Sequence, residues 1–317
     1  MTGSDETGNG AVRQGRPGSP AFVAAMPDTS QYRVVANAAV DLASIPTRHG
    51  LADIAKPGKR LARQRRRIAR LQERLFASSS ASLLLVFQGM DASGKDGTIR
   101  AVLKGVNPQG ISVTSFKQPV GEELSHSWLW RHWRTVPAEG QIGVFNRSHY
   151  EEVAVVRVHP ELLAARGLSH PPPEEFWDER LGDIRAFERH LVHNGTHIVK
   201  FYLHVSQEEQ RRRIMRRLDD PKRQWKFHSS DITETALRKE YLAAYQTAIA
   251  ATATESAPWF IVPADHKPTA RLIVATVIAE TLTAMAPEMP RPGPDALRAI
   301  ADYRNSLANM PEDMEKT

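Results

Sequence analysis

The pattern of apolar and polar positions divides the chain into a middle part with regular elements and two polar ends. Five short runs rich in β-branched, aromatic and leucine side chains predict strands, and the segments between them have the apolar spacing of helices. The predicted strands are 83–88, 111–116, 142–146, 197–205 and 259–263. The predicted helices are 95–105, 122–134, 173–193, 207–218, 233–252 and 269–285. Alternating strands and helices indicate an α/β fold, with a parallel sheet covered by helices on both faces.

The first predicted strand is apolar at each position from 83 to 87. A strand without polar alternation is buried on both faces, so we expect it near the centre of the sheet. The patterns do not predict the order in which the strands pair.

The two ends of the chain lack this alternation. Residues 1–30 are rich in Gly, Pro, Ser, Thr and Ala without an apolar period, which predicts a disordered tail. An irregular stretch at 287–294 precedes a short predicted helix at 295–307. We therefore expect one domain at 31–286 and a C-terminal tail with a short helix at 287–317.

The composition is that of a globular protein, with 41% hydrophobic and 25% charged residues. The chain has no cysteine, which excludes a disulfide scaffold, a thiolate zinc site and a cysteine nucleophile. It shows neither a signal peptide nor a long apolar span, so we expect a cytoplasmic protein without a membrane segment. The net charge of +6 suits a polyanionic partner without choosing among nucleic acid, nucleotide, polyphosphate and membrane.

The segment 89–98, GMDASGKDGT, has the spacing of a phosphate-binding loop and lies between a predicted strand and a predicted helix. Glycines allow backbone N–H groups to turn toward phosphate oxygens, and Lys95 would neutralise the phosphoryl group. The alternative is a glycine-rich turn that binds nothing. The predicted phosphate contacts here are Gly89, Ala92, Ser93, Gly94, Lys95, Asp96 and Gly97.

The loop departs from the usual pattern after its lysine, where Asp96 replaces the serine or threonine that binds Mg²⁺. A hard cation prefers oxygen ligands, and we place the metal on Asp91, with Asp96 and Thr98 as secondary ligands.

A second motif, GVFNRSHYE at 143–151, lies at the carboxyl end of a predicted strand, where open α/β sheets bind ligands. The position that commonly holds a metal-binding aspartate is Asn146, a second candidate metal ligand. Arg147 can bind phosphate with two N–H groups, and Glu151 adds a carboxylate. The alternative is a polar turn that caps a helix. The predicted nucleotide contacts are Asn146, Arg147, Tyr150 and Glu151.

Two basic segments complete the candidate chemistry. Residues 207–226 carry arginines on one helical face, among them Arg213 and Arg217, and predict either a lid that closes on a polyanion or a solvated face. Residues 56–74 predict an amphipathic basic helix that either guides a polyanion or is merely solvated.

These motifs together resemble the polyphosphate kinase 2 family over about residues 53–285. The resemblance rests on LLLVFQGMDASGKDGTIR, FKQP, IGVFNRSHYEEVAVVRVHPE, FERHLVHNGTHIVKFYLHVS, RRLDDPKRQWKF and APWFIVPADHK. It implies a three-layer α/β/α P-loop kinase-like fold, a helical lid at about 207–230 and assembly as dimers or tetramers. It also implies that Asp91 and Lys95 are essential and that Arg147 contacts phosphate. A local departure is Gly121, where relatives commonly have threonine.

The second motif is similar to that of class III members, which phosphorylate both AMP and ADP. Classes I and II usually have D-R-S-x-Y-N where this chain has N-R-S-H-Y-E, so Glu151 is expected to help define acceptor use. Adenine and guanine nucleotides both remain open, as do the direction of transfer and the number of metal ions.

We therefore expect a Mg²⁺-dependent, reversible transfer of the terminal phosphoryl group of polyphosphate to AMP or ADP. Polyphosphate would lie in a basic channel of the phosphate loop, Lys117, Arg147 and the lid arginines. A covalent phosphohistidine at His149 is not expected. Two alternatives are an ATP-dependent nucleotide kinase, and a nucleic-acid-binding protein, for which the chain has no base-reading motif.

Overall fold

A computed structural model describes residues 26–50, 54, 56–168, 172–222, 224–226 and 234–310. Its strands form one parallel sheet in the order β2-β3-β1-β4-β5. They are β1 Ser82–Gln88, β2 Ile111–Ser115, β3 Ile142–Asn146, β4 Thr196–His204 and β5 Trp259–Pro263. All seven residues of β1 are buried, which confirms the prediction of a central strand.

Nine α-helices can be described in these parts of the chain. Their bounds are α1 Pro57–Ser78, α2 Lys95–Val102, α3 Trp130–Trp133, α4 Glu151–Val158, α5 Glu174–His193, α6 Gln207–Asp219, α7 Arg238–Thr252, α8 Lys267–Ala284 and α9 Pro294–Ala308.

The helices cover both faces of the sheet. Helices α1 and α2 pack against α8, whereas α4 packs against α5 and α7. For the helices that connect two strands, this division follows from right-handed crossovers. The chain moves in one direction across the sheet from β1 to β2, and in the opposite direction from β3 to β4 and from β4 to β5. The result is a three-layer α/β/α sandwich in which the carboxyl ends of all five strands meet at one edge.

The helix predicted at 122–134 is wrong. The structure has a short 3₁₀ helix at Gly121–Leu124 and then only the single turn of α3. The hydroxyl of Ser125 donates to the carbonyl of Glu122, a local bond that ends the first turn.

Helix α4 was not predicted. Its Val-rich sequence favours a strand by propensity, but Val153, Ala154 and Val156 are buried against the domain, and this packing decides its conformation.

The tail predicted at 1–30 can be compared only at residues 26–30, where Pro27 is buried, Thr29 donates to Glu280 and a 3₁₀ helix begins at Ser30. Residues 1–25 of the predicted tail lie outside the described residues, and Tyr32, Val40 and Leu42 beyond it are buried in the main core. Helix α9 matches the helix predicted near the C-terminus, and all its side chains are exposed. Within the described ranges, no helix has the length and apolar character needed to cross a bilayer.

Candidate active site

The loop between β1 and α2 turns back on itself at the carboxyl edge of the sheet. Gly89 has a φ of +144° and Gly94 a φ of +105°, both in the region that favours glycine. A Cβ atom on Gly89 would lie 2.8 Å from the carbonyl oxygen of Leu203 on β4. The loop therefore packs directly on backbone, and its first glycine cannot be replaced without displacing it.

Lys95 begins α2 and folds back over the loop. Its Nζ donates to the carbonyl oxygens of Gly89 at 2.6 Å and Met90 at 3.3 Å, and the side chain is buried. Burial, followed by the positive charge of Arg147, lowers the pKa of Lys95 to about 8. The ammonium group is thus held at the position where the loop would receive a phosphoryl group.

Arg147 links the loop to the second motif. Its backbone has a φ of +62°, and its N–H donates to the carbonyl of Phe87 at the end of β1. The guanidinium donates to Asp91 at 3.0 Å and to Glu151 at 3.3 Å. The charge of Glu151, ahead of that of Asp91, raises the pKa of Arg147, although burial opposes the rise. Three predicted catalytic residues thus meet in one hydrogen-bonded group.

Asn146 lies at the end of β3, and only the nitrogen of its side-chain amide is hydrogen-bonded. Its Nδ2 donates to Asp96 at 3.0 Å and to Ser115 at 3.3 Å, whereas its buried Oδ1 has no hydrogen-bond partner among the described residues. The unpaired amide oxygen of Asn146 and the neighbouring carboxylate of Asp96 are hard oxygen donors. No cluster of three or more carboxylate, histidine or cysteine ligands occurs within the described parts of the chain. The donors fit a divalent cation that keeps most of its sites for phosphate and water.

A cavity of about 220 Å³ opens beside this group, between α4, α6 and α7. Its charged lining consists of Asp91, Glu151 and Glu234 with Arg147 and Arg217. Its apolar and aromatic lining includes Met90, Val155, Ile214, Tyr241 and Tyr245.

Glu234 is held toward the cavity by two neighbours that were not predicted. Tyr241 donates its hydroxyl to Glu234 at 2.6 Å, and His159 Nε2 lies 3.0 Å from the same carboxylate. Burial acts to lower the pKa of His159, but hydrogen bonds to Glu234 and Glu161 outweigh it and raise that pKa. No motif marks these residues, because they come from separate segments that only the fold brings together.

Two predicted phosphate contacts of the basic segments have different surroundings. Arg217 lines the cavity. Arg213 lies behind the loop, and its guanidinium donates to the carbonyls of Ala92 at 3.1 Å, Ser93 at 2.6 Å and Ala264 at 2.5 Å. Its Nε donates to Glu209 at 2.7 Å. The prediction that Arg213 binds phosphate directly is therefore corrected, since its donors are occupied by protein oxygens.

Lys117 follows β2 and is exposed, outside the cavity lining. The remaining predicted loop contacts, Ala92, Ser93, Gly94 and Gly97, lie in the loop or the first turn of α2. Ser93 is buried, its N–H donates to the carbonyl of Met90 at 3.1 Å, and its Oγ has no hydrogen-bond partner among the described residues.

Tyr150 does not face the cavity. It is completely buried, and its hydroxyl bonds Glu188 at 2.8 Å and Thr252 at 2.9 Å. The predicted nucleotide contact at Tyr150 is corrected, because the turn after β3 directs its side chain into the core. His149 is also buried, with Nε2 3.3 Å from Glu188.

These two side chains belong to a buried polar network that the sequence analysis missed. Lys200 on β4 donates to Glu188 at 2.5 Å, to Tyr150 at 3.1 Å and to the carbonyl of Thr252 at 2.9 Å. Burial opposes the charge of Glu188, but Lys200 outweighs it and lowers the pKa of this carboxyl. The available signal was a lysine at position 200 between the apolar residues 198–199 and 201–203. The network supports the turn that carries Arg147.

Comparisons with known proteins identify a family with this kind of site. The family model for polyphosphate kinase 2 matches residues 53–290. The chain is 44% identical to the ADP-polyphosphate phosphotransferase of Rhodopseudomonas palustris over 283 residues, which cover 88% of this chain and 98% of the relative. It is also 44% identical to the AMP/ADP-polyphosphate phosphotransferase of Meiothermus ruber over 227 residues, or 72% and 81% of the two chains.

A solved structure has the same architecture. The crystal structure of polyphosphate kinase 2 from Arthrobacter aurescens TC1 superposes with a TM-score of 0.77 at 36% identity, covering 86% of this chain and 95% of that one. The chain that carries this phosphate loop, Arg147 group and parallel sheet therefore belongs to the polyphosphate kinase 2 family.

Proposed function

We propose that the protein transfers the terminal phosphoryl group of inorganic polyphosphate to AMP and ADP. The observation that carries this proposal is the hydrogen bond from Arg147 to Asp91, which joins the second motif to the loop that carries Lys95, beside a cavity that both Asp91 and Arg147 line. The names of two relatives at 44% identity, an ADP- and an AMP/ADP-polyphosphate phosphotransferase, support it.

The lining of the cavity suits the nucleotide rather than a long polyanion. Its named charges are three carboxylates, Asp91, Glu151 and Glu234, and two guanidinium groups, Arg147 and Arg217. A dense polyanion is repelled by such a balance, whereas a nucleotide offers both a phosphate for the arginines and a base for the apolar surfaces of Tyr241 and its neighbours. We therefore assign the cavity to the acceptor.

The cofactor that suits this donor set is Mg²⁺, held by Asp91 and Asn146 with help from Asp96. Mg²⁺ binds proteins through one or two carboxylates together with substrate phosphates. When bound, it would neutralise phosphate charge and stabilise the transition state.

The protein groups contribute position and charge. A terminal phosphate oxygen of the acceptor attacks the last phosphorus of polyphosphate in line, and the bond from that phosphorus to the bridging oxygen breaks. The shortened chain leaves with that oxygen. Lys95 and the loop N–H groups stabilise the transferred group, while Arg147 holds the acceptor phosphate and is itself oriented by Asp91 and Glu151. One phosphoanhydride replaces another, so the transfer is reversible.

We assign to Glu151 a role in determining whether the enzyme accepts AMP as well as ADP. Glu151 contacts Arg147 from the cavity side, where it would affect the position of a short acceptor such as AMP. We also expect the dimers or tetramers that the family resemblance implies, which sedimentation of the purified protein measures.

The first experiment measures nucleotide products by chromatography after incubation with polyphosphate, Mg²⁺ and AMP. ADP followed by ATP is expected, with loss of both in Lys95→Ala and retention in Lys239→Ala, an exposed lysine on α7. Glu151→Asn is expected to lose AMP use more than ADP use. Product formed from ATP but not from polyphosphate would contradict the proposal and identify an ATP-dependent nucleotide kinase.

A further inference from the structure

One carboxylate of the cavity lies away from the group that would hold phosphate. Glu151 begins α4 beside Arg147, whereas Glu234 contacts His159, the residue that follows α4. Residues 151, 155 and 159 follow one face of α4, because they are four apart. A rise of about 1.5 Å per residue places His159, and with it Glu234, roughly 12 Å along the helix from Glu151. The cavity therefore has one end at the phosphate loop and another at Glu234.

Two hydrogen-bond donors hold Glu234 in place. The hydroxyl of Tyr241 donates to its Oε2 at 2.6 Å, and Nε2 of His159 lies 3.0 Å from its Oε1. The other ring nitrogen of His159, Nδ1, lies 3.0 Å from Glu161. A neutral imidazole has only one N–H, so a ring with a carboxylate at each nitrogen is held as an imidazolium that donates on both sides. The carboxylate of Glu234 is thus oriented by its neighbours.

The oriented carboxylate still faces the cavity. The side chain of Glu234 is 25% exposed, and it lines the cavity. An ionised carboxylate has about four accepting positions, of which Tyr241 and His159 use about two. It has no donor, and its charge repels phosphate. This end of the cavity therefore suits an N–H or O–H donor of a ligand whose phosphate lies elsewhere.

The walls between the two ends suit a flat ring. Val155, Ile214 and Tyr241 line the cavity with apolar and aromatic surface. In a nucleotide bound with its phosphate at Arg147, the base is the part farthest from the phosphate, and the ribose lies between them. The base would pack on these walls, and an amino group on its edge would point to Glu234.

We propose that Glu234 determines base specificity by accepting a hydrogen bond from the amino group of the acceptor base, with Tyr241 and His159 as its positioning residues. This inference rests on the proposed function, since it takes the cavity as the acceptor site. Adenine and guanine both carry an amino group, so the carboxylate selects for these purines and against a purine that lacks one.

The test compares AMP with purine riboside 5′-monophosphate, which has the same phosphate and ribose but no amino group. The unchanged enzyme is expected to use AMP with about tenfold higher kcat/KM, the effect of one hydrogen bond to a charged group. Glu234→Ala should lose about tenfold with AMP and change less than about twofold with the analogue, so that the preference disappears. Glu240→Ala, which removes an exposed glutamate on α7, is the matched control.

Further measurements separate the base from the ribose and from the fold. The unchanged enzyme and Glu234→Ala should discriminate equally between AMP and 2′,3′-dideoxy-AMP, which lacks the ribose hydroxyls. Glu234→Gln keeps the size and one accepting oxygen, so it should reduce the amino-group preference without abolishing it, because charge-assisted hydrogen bonds are stronger. Thermal unfolding of both variants tests whether a loss comes from misfolding.

An amino-group preference that is absent from the unchanged enzyme, or that persists in full in Glu234→Ala, would overturn the assignment. A ribose preference lost in Glu234→Ala would overturn it as well. Failure of the proposed function has a different result, in which the unchanged enzyme makes no product from polyphosphate with any nucleotide. Calorimetry of nucleotide binding still tests Glu234 in that case, because tighter binding of AMP than of the analogue is expected only with Glu234 present. Equal binding, or none, contradicts the inference.

Discussion

Lys95 must carry a positive charge in a place that disfavours it. Burial against the loop carbonyls and the nearby Arg147 lower its pKa to about 8, from an ordinary value of 10.5. A phosphate bound at the loop would favour the ammonium form and raise this pKa again. The lysine therefore titrates in the free enzyme at a pH where exposed lysines remain charged.

We predict that kcat/KM for polyphosphate decreases as pH rises through about 8, because the neutral amine of the free enzyme no longer attracts phosphate. The sign follows from a folded pKa below the ordinary one, so that the charged, active form is the one present at lower pH. Kcat should decrease only at higher pH, since bound phosphate keeps the proton on Lys95. The measurement is a pair of pH profiles at constant ionic strength.

Tyr245 in the cavity provides an internal comparison, since burial raises its pKa well above the ordinary value and it stays neutral over the same range. Lys95→Arg should be slower but lose the alkaline decrease. A kcat/KM that stays constant to about pH 10 would contradict the assignment.

At the scale of elements, α6 is connected to the chemistry through one side chain. Arg213 joins α6 to the back of the loop through Ala92 and Ser93, and to the residue after β5 through Ala264. A movement of the helix that begins the predicted lid would therefore move the loop carbonyls. This arrangement makes Arg213 a positioning residue.

We predict that Arg213→Lys lowers kcat/KM by about 100-fold, the effect of misplacing reacting groups by about 1 Å. Lysine keeps the positive charge but cannot bridge two backbone segments with a planar fork. Arg216→Lys, an exposed position on the same helix, should have little effect.

Steady-state kinetics and thermal unfolding together test this role. Near-normal activity of Arg213→Lys would show that charge alone is needed, as direct phosphate binding would require. A decrease in kcat with an unchanged unfolding temperature supports positioning.

At the scale of the molecule, the Glu188 and Lys200 pair connects the core of the sandwich to the site. Lys200 on β4 and Glu188 on α5 meet Tyr150 before α4 and Thr252 at the end of α7. Trp259 on β5 donates to the same threonine at 2.9 Å. One polar group thus joins β4 and the edge strand β5 to three helices beneath the turn of Arg147.

We predict that Glu188→Ala lowers the free energy of unfolding by about 3–5 kcal/mol, because it leaves a buried ammonium unpaired. The pair of changes Glu188→Met with Lys200→Met should cost much less, since no charge is left alone. Denaturant unfolding measures both, and equal losses in the two proteins would contradict this explanation.

The pH dependence of this stability has a defined sign. The folded pKa of Glu188 is below its ordinary value, so its contribution is present above that ordinary value and is lost as pH falls toward the folded one. The difference in stability between the unchanged protein and Glu188→Ala should therefore become smaller in acid.

The sequence by itself determined the features that depend on neighbouring residues. The spacing of Gly89, Gly94 and Lys95 after an apolar strand predicted a loop that the fold places at the carboxyl edge of the sheet. Arg147 and Glu151, four residues apart, proved to be in contact. Such features are local, because backbone conformation and apolar periodicity act over a few residues.

Only the tertiary structure decided where side chains point and which distant segments meet. Tyr150 and Arg213 are residue types that often contact ligands. In this fold, however, the hydroxyl of Tyr150 bonds Glu188 in the core, and the guanidinium of Arg213 donates to loop carbonyls. Glu234 reaches the cavity from a segment far from the phosphate loop and the second motif. The physical reason is that burial, charge pairing and helix packing are settled by contacts across the sheet, which no short stretch of sequence contains.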